Sequence, residues 1–432
     1  MKTVTEWSPW RDRRFLLFAS GNFIDNVGNS IYNVVLPLLA YDLTQSLTVM
    51  SFLAATLPLS FLTAPLFGVL ADRFGSKVLV IPGLGVQLIA ALGINLMAMG
   101  ALGGGEENIA LIPLMALALL VQLGGNAYRR GWMAGVPRMF GEHAVKARGS
   151  LNTLYVASTI LGPLFVTIGL PLIGYVWLLW INLFTYVAPI IVWWLGAHPP
   201  DPSPRAGNVG FFFFRDLAEG WMILRKQPQI FNYLFVLFPL TFATTIEALI
   251  IYYLRNFWDL SAQYVSSVWI IVNLATLAGS LFASEQKKLD LRWLLTITVV
   301  GSIITLFLLP VPILPIVLFA VILQYIMDGI LGTTDSMMMV KFIPAEAFGR
   351  INGIILLLYS IPSVASKFLV PLIQHFVGVQ ITFVILGLSA LFSVFWLFRK
   401  WNLWSDDAPT VPALQPSSQN VRQNSFSEDS GQ

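Results

Sequence analysis

Residues 68–77 read Gly-Val-Leu-Ala-Asp-Arg-Phe-Gly-Ser-Lys, a short charged stretch between two long apolar ones. The flanking stretches, 48–70 and 78–100, are each about as long as the roughly 20 apolar residues that cross a bilayer as a helix. We therefore interpret 68–77 as the turn between two membrane-spanning helices.

This turn carries residues that suit a moving contact between helices. Gly68 allows close helix approach, and Gly75 permits a tight turn. Asp72 can accept hydrogen bonds from helix-end amides, or it can pair with Arg73, Lys77 or a neighbouring helix. Such a charge cluster can latch one conformation and release in another. A solvated turn that only fixes topology is the alternative.

The composition of the whole chain is typical of a membrane protein. Apolar types make up 56% of the 432 residues and charged types only 11%, and the mean hydropathy is +0.75. Soluble domains carry about 25% charged residues, so this chain has too little polar surface for a water-facing globule of its size. The net charge is only +3 and the basic residues form no continuous stripe, so no nucleic-acid partner is indicated.

The chain also lacks the residues of common metal and redox sites. It has no cysteine, which excludes disulfides, thiolate metal sites and cysteine nucleophiles, and its three histidines lie far apart in the sequence. There is no Gly-Lys-Ser/Thr phosphate-binding loop, so ATP is not the direct energy source. We expect no cofactor, no metal site and no enzymatic activity.

Twelve apolar stretches are candidates for spanning helices, which predicts an all-α membrane fold. They are 15–40, 48–70, 78–100, 109–138, 150–172, 175–197, 230–255, 262–283, 293–310, 313–339, 351–374 and 378–398. A polar cytoplasmic linker at 198–229 divides the chain into an N-terminal six-helix bundle (15–197) and a C-terminal one (230–400). We expect a cytoplasmic arm at 1–14 and a disordered cytoplasmic tail at 401–432.

The distribution of lysine and arginine predicts the orientation. With the N-terminus inside, the outer loops contain neither residue type, and Arg255 lies at the outer edge of the seventh helix. Four more fall within spans, Arg129, Arg130, Lys367, and Arg138 at an inner end. Nearly all the rest lie in the arm, the inner loops or the tail, so both termini are predicted to be cytoplasmic. The first apolar stretch is too long for a signal-peptide core and has no cleavage pattern after it. We expect a monomeric multi-pass protein of a bacterial-type inner membrane.

The turn at 68–77 resembles the signature of the major facilitator superfamily, G-x-L-a-D-r-x-G-r-k between the second and third helices, with Ser76 at a position that is basic in the family. The resemblance implies two six-helix bundles that rock around a midplane site, so that a small-molecule substrate crosses by alternating access. It also implies a gating role for the turn. The residues of this motif are Gly68, Asp72, Arg73, Gly75 and Lys77.

Two further resemblances concern the direction of transport and the substrate. Residues 137–142, Pro-Arg-Met-Phe-Gly-Glu, followed by Lys146 and Arg148, resemble the inner loop of the branch that contains macrolide-efflux and siderophore-exporter proteins. Gly162-Pro163 matches part of a pattern found in the fifth helix of antiporters. Together they imply proton-coupled efflux of small amphiphilic compounds, such as a drug, a macrolide or a siderophore-like metabolite.

The two halves share a weak internal repeat between segments 119–148 and 321–350. The polar pairs that match at a constant offset are Gln122 with Gln324, Asn126 with Asp328, and Arg148 with Arg350. Polar residues are scarce in these apolar segments, so the matches favour two bundles related by an axis along the membrane normal.

Polar side chains inside the spans mark the candidate substrate path, because polar and ionisable groups are costly in the bilayer. In the superfamily, helices 1, 4, 7 and 10 line the central cavity, and each of these helices carries polar residues here, whereas helices 3, 6, 9 and 12 carry far fewer. Asparagines in the first helix recur at steps of four, three and four, which places them on one face. The predicted cavity residues are Asn22, Asn26, Asn29, Asn33, Gln122, Asn126, Arg129, Arg130, Gln324 and Thr334.

Asp25, Glu247 and Asp328 are the candidates for proton coupling, since a carboxyl group in a low-dielectric cavity can exchange a proton near neutral pH. For Asp25 the alternative is a static interhelical hydrogen bond. For Glu247 it is a static ion pair with Lys367, which lies at a similar depth. Asp335, near the inner end of its helix, is expected to be solvated.

Arg129 and Arg130 are adjacent and point about 100° apart, so they cannot both face one cavity. One can meet Asp25, Asp328 or an anionic substrate, and the other can extend to the inner surface. Two other functions are left open. One is a flippase for lysolipid or another lipid, with the arginines on a head group. The other is a membrane receptor or enzyme that does not transport.

Overall fold

The computed structural model describes residues 7–102, 111–196, 218–286, 290–343 and 348–405, and in these ranges it contains helices and no strands. Most of the predicted linker and tail, and the first six residues of the arm, lie outside the described residues. The side chains of Asp72 and Arg73 lie outside them too.

Twelve helical spans follow the order that the sequence predicts, and three of them are interrupted. They are α1 (Arg13–Thr44), α2 (Leu47–Phe61 and Ala64–Phe74), α3 (Lys77–Leu102), α4 (Leu111–Phe140), α5 and α6 (Ala144–Thr185, divided at Gly174, with Val187–Trp194 completing α6), α7 (Pro228–Thr244 and Glu247–Asn256), α8 (Ala262–Glu285), α9 (Leu291–Leu308), α10 (Leu314–Phe342), α11 (Phe348–Val377) and α12 (Val379–Arg399).

Eight helical stretches are long and apolar enough to cross a membrane on length and composition alone, and one of these contains both α5 and α6. The spans α1, α2 and α4 are not in this set, and the sequence of each explains why. α1 and α4 are 32 and 30 residues long, but they carry the asparagine, aspartate and arginine side chains of the candidate site. At 1.5 Å per residue both exceed the roughly 30 Å of a bilayer core. α2 is interrupted at Leu62 and Thr63.

The turn between α5 and α6 depends on a single glycine. Gly174 has φ 73° and ψ 178° in an otherwise continuous helical stretch. This positive φ is unfavourable for residues with a Cβ atom, so glycine allows the chain to reverse here without a longer loop. The reversal lies at the predicted loop 173–174.

The helices pack as two sets with a limited seam between them. In the first set, α1 packs on α5 and α6, and α4 packs on α2 and α3. In the second set, α10 packs on α8 and α9, and α12 packs on α7 and α9. The two sets meet mainly along four helix pairs, α2 with α11, α5 with α8, α2 with α7, and α1 with α7. A seam of paired helices of this kind allows one set to move relative to the other.

The helix ends differ in charge at the two ends of the molecule. We call the end where α1 begins the basic end, because Arg13, Lys77, Arg138 and Arg399 lie at the helix termini there. At the opposite end, Arg255 is the one Lys or Arg among the residues that the structure describes. By the positive-inside rule the basic end is predicted to be cytoplasmic.

Candidate functional site

A cavity of about 330 Å³ lies between α1, α4 and α5, in the half of the molecule nearer the basic end. Its polar and aromatic lining includes Asn22, Asn26, Arg129, Trp132, Arg148, Asn152 and Tyr155. Phe23, Met133, Leu151 and Leu154 add an apolar wall. The volume is at the lower end of the roughly 300–1,000 Å³ of small-molecule sites, and the mixture of surfaces suits an amphiphilic compound.

The charged groups of the cavity are guanidinium groups. The Arg129 guanidinium lies over the Tyr155 ring, 5.3 Å from its centroid, an arrangement favoured by the negative face of the ring. Arg148 also lines the cavity, and its Nη2 donates to the Met133 carbonyl oxygen at 3.3 Å. Arg130 does not line the cavity, and its buried Nε has no hydrogen-bond partner in the described part of the chain.

Asp25 lies behind the cavity wall and is only 3% exposed. Its Oδ2 accepts a hydrogen bond from Asn29 Nδ2 at 3.0 Å, whereas its Oδ1 is buried without a partner among the described residues. Arg129 is close enough to attract the carboxylate electrostatically. Asp25 Oδ1 can therefore accept one more hydrogen bond. Arg129, which attracts this carboxylate, also lines the cavity.

The asparagine row of α1 divides between the cavity and other helices. Asn22 and Asn26 line the cavity, and Asn22 accepts a hydrogen bond from the Tyr128 hydroxyl at 3.1 Å. Asn29 faces α6 and accepts from the Tyr186 hydroxyl at 3.1 Å. Asn33 is exposed and accepts from Gln122 Nε2 at 3.4 Å.

Asn126 has a packing position instead of a place on the cavity. It is buried, and its Nδ2 donates to the Ser60 carbonyl oxygen at 2.7 Å and lies 3.4 Å from Thr63 Oγ1. These contacts join α4 to α2 where α2 is interrupted. The same carbonyl oxygen also accepts from the Thr63 N–H at 3.1 Å and from the Thr63 hydroxyl at 2.7 Å, so the Asn126 amide adds an interhelical hydrogen bond to those of the turn.

The predicted polar residues of the second set lie apart from this cavity. Gln324 is buried, accepts from Thr305 Oγ1 at 2.5 Å and donates to Asp328 Oδ1 at 3.1 Å. Thr334 is fully buried and its hydroxyl donates to the Ile330 carbonyl oxygen at 2.8 Å, one helical turn earlier. Thr334 is therefore satisfied within its own helix.

The remaining acidic candidates differ in their surroundings. Glu247 forms an ion pair with Lys367, which is the static alternative expected from the sequence. Asp335, expected to be solvated, has a buried Oδ1 and lies beside Tyr233.

At the signature turn the structure describes the backbone and only some of the side chains. Gly75 has φ 86°, as a tight turn requires, and Lys77 is exposed. Ser76 is buried. The expected close helix approach at Gly68 is not found, since no described heavy atom lies within 4 Å of where its Cβ would be.

The opposite end is joined by a cluster that sequence reasoning missed. Asp42, near the end of α1, accepts from the Tyr175 hydroxyl at 2.5 Å and forms an ion pair with Arg255 of α7. Arg255 also lies over the Tyr41 ring at 5.0 Å and donates to the Leu260 carbonyl oxygen at 2.8 Å. The sequence signal for this cluster was Arg255, an isolated basic residue at this end. Its partner could not be found from sequence because it lies on another helix far away in the chain.

Solved structures with the same architecture are transporters. A bacterial homologue of the human lysosomal transporter Spinster, in an inward-facing conformation, matches with a TM-score of 0.71 and 10% identity, over 92% of this chain and 98% of that one. The nucleoside transporter NupG matches with a TM-score of 0.71 and 12% identity, over 90% and 99% of the two chains. A bacterial homologue of the iron transporter ferroportin, also inward-facing, matches with a TM-score of 0.65 and 15% identity, over 89% and 98%.

At these identities the likeness shows the fold alone, two bundles of six helices. No curated protein matches the sequence at a significant level. The sequence model of the Major Facilitator Superfamily matches residues 18–366, which is most of the chain. The protein therefore belongs to the Major Facilitator Superfamily.

Proposed function

We propose that this protein is a secondary transporter that moves a small amphiphilic compound by alternating access, with proton coupling through Asp25. The observation that carries the proposal is the combination of an amphiphilic cavity near the basic end and a contact cluster at the opposite end. An alternating-access transporter needs this asymmetry, because its site must be closed on one side while it faces the other.

The lining of the cavity supports the substrate class. Trp132, Tyr155 and the apolar wall offer surface for a hydrophobic body, and the asparagine amides with Arg129 offer hydrogen bonds for a polar group. Efflux is the direction implied by the resemblance of 137–148 to exporters. With the basic end cytoplasmic, the cavity would then be loaded from the cytoplasm of a bacterial-type cell.

The surroundings of Asp25 support a role in proton coupling. A carboxylate that is buried and keeps one oxygen unpartnered gains from protonation, because burial of a charge is costly unless it is fully paired. Asp25 shares Arg129 with the cavity, so occupancy of the cavity changes the charge that it faces. A proton that crosses 100 mV supplies about 2.3 kcal/mol, which is enough to drive substantial accumulation.

Proton movement in proteoliposomes tests the proposal. Liposomes that contain the protein and an internal pH-sensitive dye would be offered a panel of amphiphiles, including a macrolide and a siderophore. We expect substrate-driven proton movement with the wild-type protein, and its loss in Asp25→Asn. Asp259→Asn is the matched control, because Asp259 is exposed in the loop before α8 and has a positive φ that asparagine tolerates.

The outcomes separate the two parts of the proposal. Proton movement that is unchanged in Asp25→Asn would refute the role of that carboxylate, while transport would stand. A panel in which no compound crosses the membrane would refute transport, and would favour the receptor or enzyme alternative.

A lipid or lysolipid flippase is the second candidate function. It is favoured by Arg129 and Arg148, which line the cavity, and by Arg130 beside Arg129 on α4, because guanidinium groups bind phosphate groups well. Translocation of a fluorescent lysolipid in the same liposomes, without any proton response to the soluble panel, would support the flippase over the efflux transporter.

A further inference from the structure

The described charged side chains that line the cavity are all basic. Arg129 and Arg148 belong to its lining, and Arg130 lies next to Arg129 on α4. The lining includes no aspartate or glutamate among the residues that the structure describes. The Asp25 carboxylate is buried, is not part of the lining and accepts a hydrogen bond from Asn29. A ligand in the cavity therefore contacts the Arg129 and Arg148 guanidinium groups directly, whereas the Asp25 carboxylate lies outside the lining.

The Arg129 guanidinium has N–H groups that can still bind a ligand. One nitrogen of Arg148 is already engaged by the Met133 carbonyl oxygen. Arg129 rests on the face of Tyr155 and forms no salt bridge with a described carboxylate. Stacking on an aromatic ring orients the planar group and leaves its N–H edge for a ligand.

We propose that the transported compound is an amphiphilic anion whose carboxylate or phosphate group binds Arg129. This inference rests on the proposed transport function and deepens it by assigning the charge of the substrate. A guanidinium holds such a group by two parallel hydrogen bonds, which are stronger and more directional than neutral ones. Asn26 also lines the cavity and can donate to a remaining oxygen, whereas Asn22 Nδ2 already donates to the Phe18 carbonyl oxygen at 3.0 Å. Trp132 and Leu151 accommodate the apolar body.

The same geometry disfavours a cationic compound. A cation in this cavity would face two guanidinium groups, and like charges repel. Asp25 cannot offset this directly, because its carboxylate does not reach the lining. Cationic amphiphilic drugs are therefore not the substrates expected from this site.

Two sources can present the required chemistry. One is a soluble amphiphile with a carboxylate, and the other is a lysolipid with an anionic head group. Both would place an oxyanion on Arg129 and an apolar chain against the aromatic wall. The binding experiment below distinguishes the two sources.

Thermal unfolding of the detergent-purified full chain tests the inference, since a ligand that binds the folded state raises the unfolding temperature. The probes are naphthyl, steroid and acyl scaffolds, each offered as a carboxylate, a primary amide and an amine, together with lysophosphatidylglycerol and lysophosphatidylcholine. We expect the carboxylate of at least one scaffold to bind about tenfold or more tightly than its amide or amine. We expect Arg129→Gln to abolish that preference, and Arg129→Lys to keep part of it.

The control variant is Arg292→Gln. It removes the same charge at the basic end, at a residue that pairs with Asp290 and stacks on Trp401 away from the cavity. It should keep the carboxylate preference. If Arg129→Gln does not fold, the partial loss in Arg129→Lys decides the question alone.

Several results would overturn the inference. They are a preference for the amine members, a carboxylate preference that survives both Arg129 substitutions, or no stabilisation by any member of the panel. Stabilisation by lysophosphatidylglycerol alone assigns the anion to a lipid, and stabilisation by a soluble carboxylate assigns it to a free amphiphile. A transported amine that moves protons would refute the assignment of an anionic substrate, while the proposed transport function would stand.

Discussion

The four asparagines of α1 show how far a residue pattern can be interpreted. Their spacing correctly places them on one helix face, but only Asn22 and Asn26 line the cavity, while Asn29 contacts Tyr186 of α6. Helical periodicity gives the direction of a side chain, and the helix that it meets depends on packing between distant segments. For the same reason Asn126 could not be distinguished from a cavity residue by its sequence alone.

Asp12 is a residue whose role is local and can be tested directly. It caps α1, accepting from the backbone N–H of Arg14 at 2.8 Å and of Phe15 at 3.2 Å, and it accepts from Trp7 Nε1 at 3.0 Å. Burial raises the pKa of this carboxyl, but the hydrogen bonds from Trp7 and the two backbone groups outweigh burial and lower the net pKa below its ordinary value.

We predict that Asp12→Ala destabilises the protein by about 1 kcal/mol at neutral pH, because it removes the helix cap. Asp12→Asn keeps an acceptor oxygen and should lose much less. A lowered pKa means that the ionised form stabilises the folded state above the unfolded pKa, and that this contribution is lost as pH falls through the folded one. The difference in unfolding temperature between the wild type and Asp12→Ala should therefore shrink in that acidic range. A difference that is constant with pH would contradict the account.

At the scale of helices, the number and order of spans were confirmed, and their interruptions were not foreseen. The sequence predicts one span over 48–70, whereas α2 is interrupted before Pro65, which lies in the first turn of its second segment. α7 is interrupted at Thr245 without a proline, and the Thr245 carbonyl oxygen accepts from Ser366 of α11 at 3.3 Å. The second interruption is stabilised by a distant helix, so no local sequence signal marks it.

Close packing of α8 on α10 depends on glycine. A Cβ at Gly329 would lie 2.0 Å from the Thr276 carbonyl oxygen, and one at Gly279 would lie 2.1 Å from the Ile326 carbonyl oxygen. Helix pairs in membranes approach closely where small residues face each other. These two glycines therefore set the separation between the helices.

We predict that Gly329→Ala lowers the unfolding temperature in detergent, because the helices must separate at a cost of about 1–3 kcal/mol. Gly332→Ala is the matched control. It lies on the same helix, and no described heavy atom lies within 4 Å of its Cβ position. Replacing glycine with alanine there should be neutral or stabilising. Equal unfolding temperatures for the two variants would contradict the close packing.

At the scale of the whole molecule, the opposite end is held together by contacts between the two helix sets. The Asp42–Arg255 pair joins α1 to α7, and Thr167 Oγ1 lies 3.1 Å from Ser266 Oγ, which joins α5 to α8. Composition and the signature turn were sufficient to predict the family fold. They could not give the conformation, because the closing contacts join residues that are distant in the chain and carry no shared motif.

The central claim is that these contacts must separate during every transport cycle. The sequence contains no cysteine, so Thr167→Cys with Ser266→Cys would introduce the only two thiols, at positions whose side chains already touch. The measurement is transport of a compound identified by the liposome assay, before and after oxidation and again after reduction. Each single cysteine variant serves as the control. We predict that the disulfide stops transport and that reduction restores it. Transport at an undiminished rate, in protein whose cross-linking is complete, would contradict alternating access.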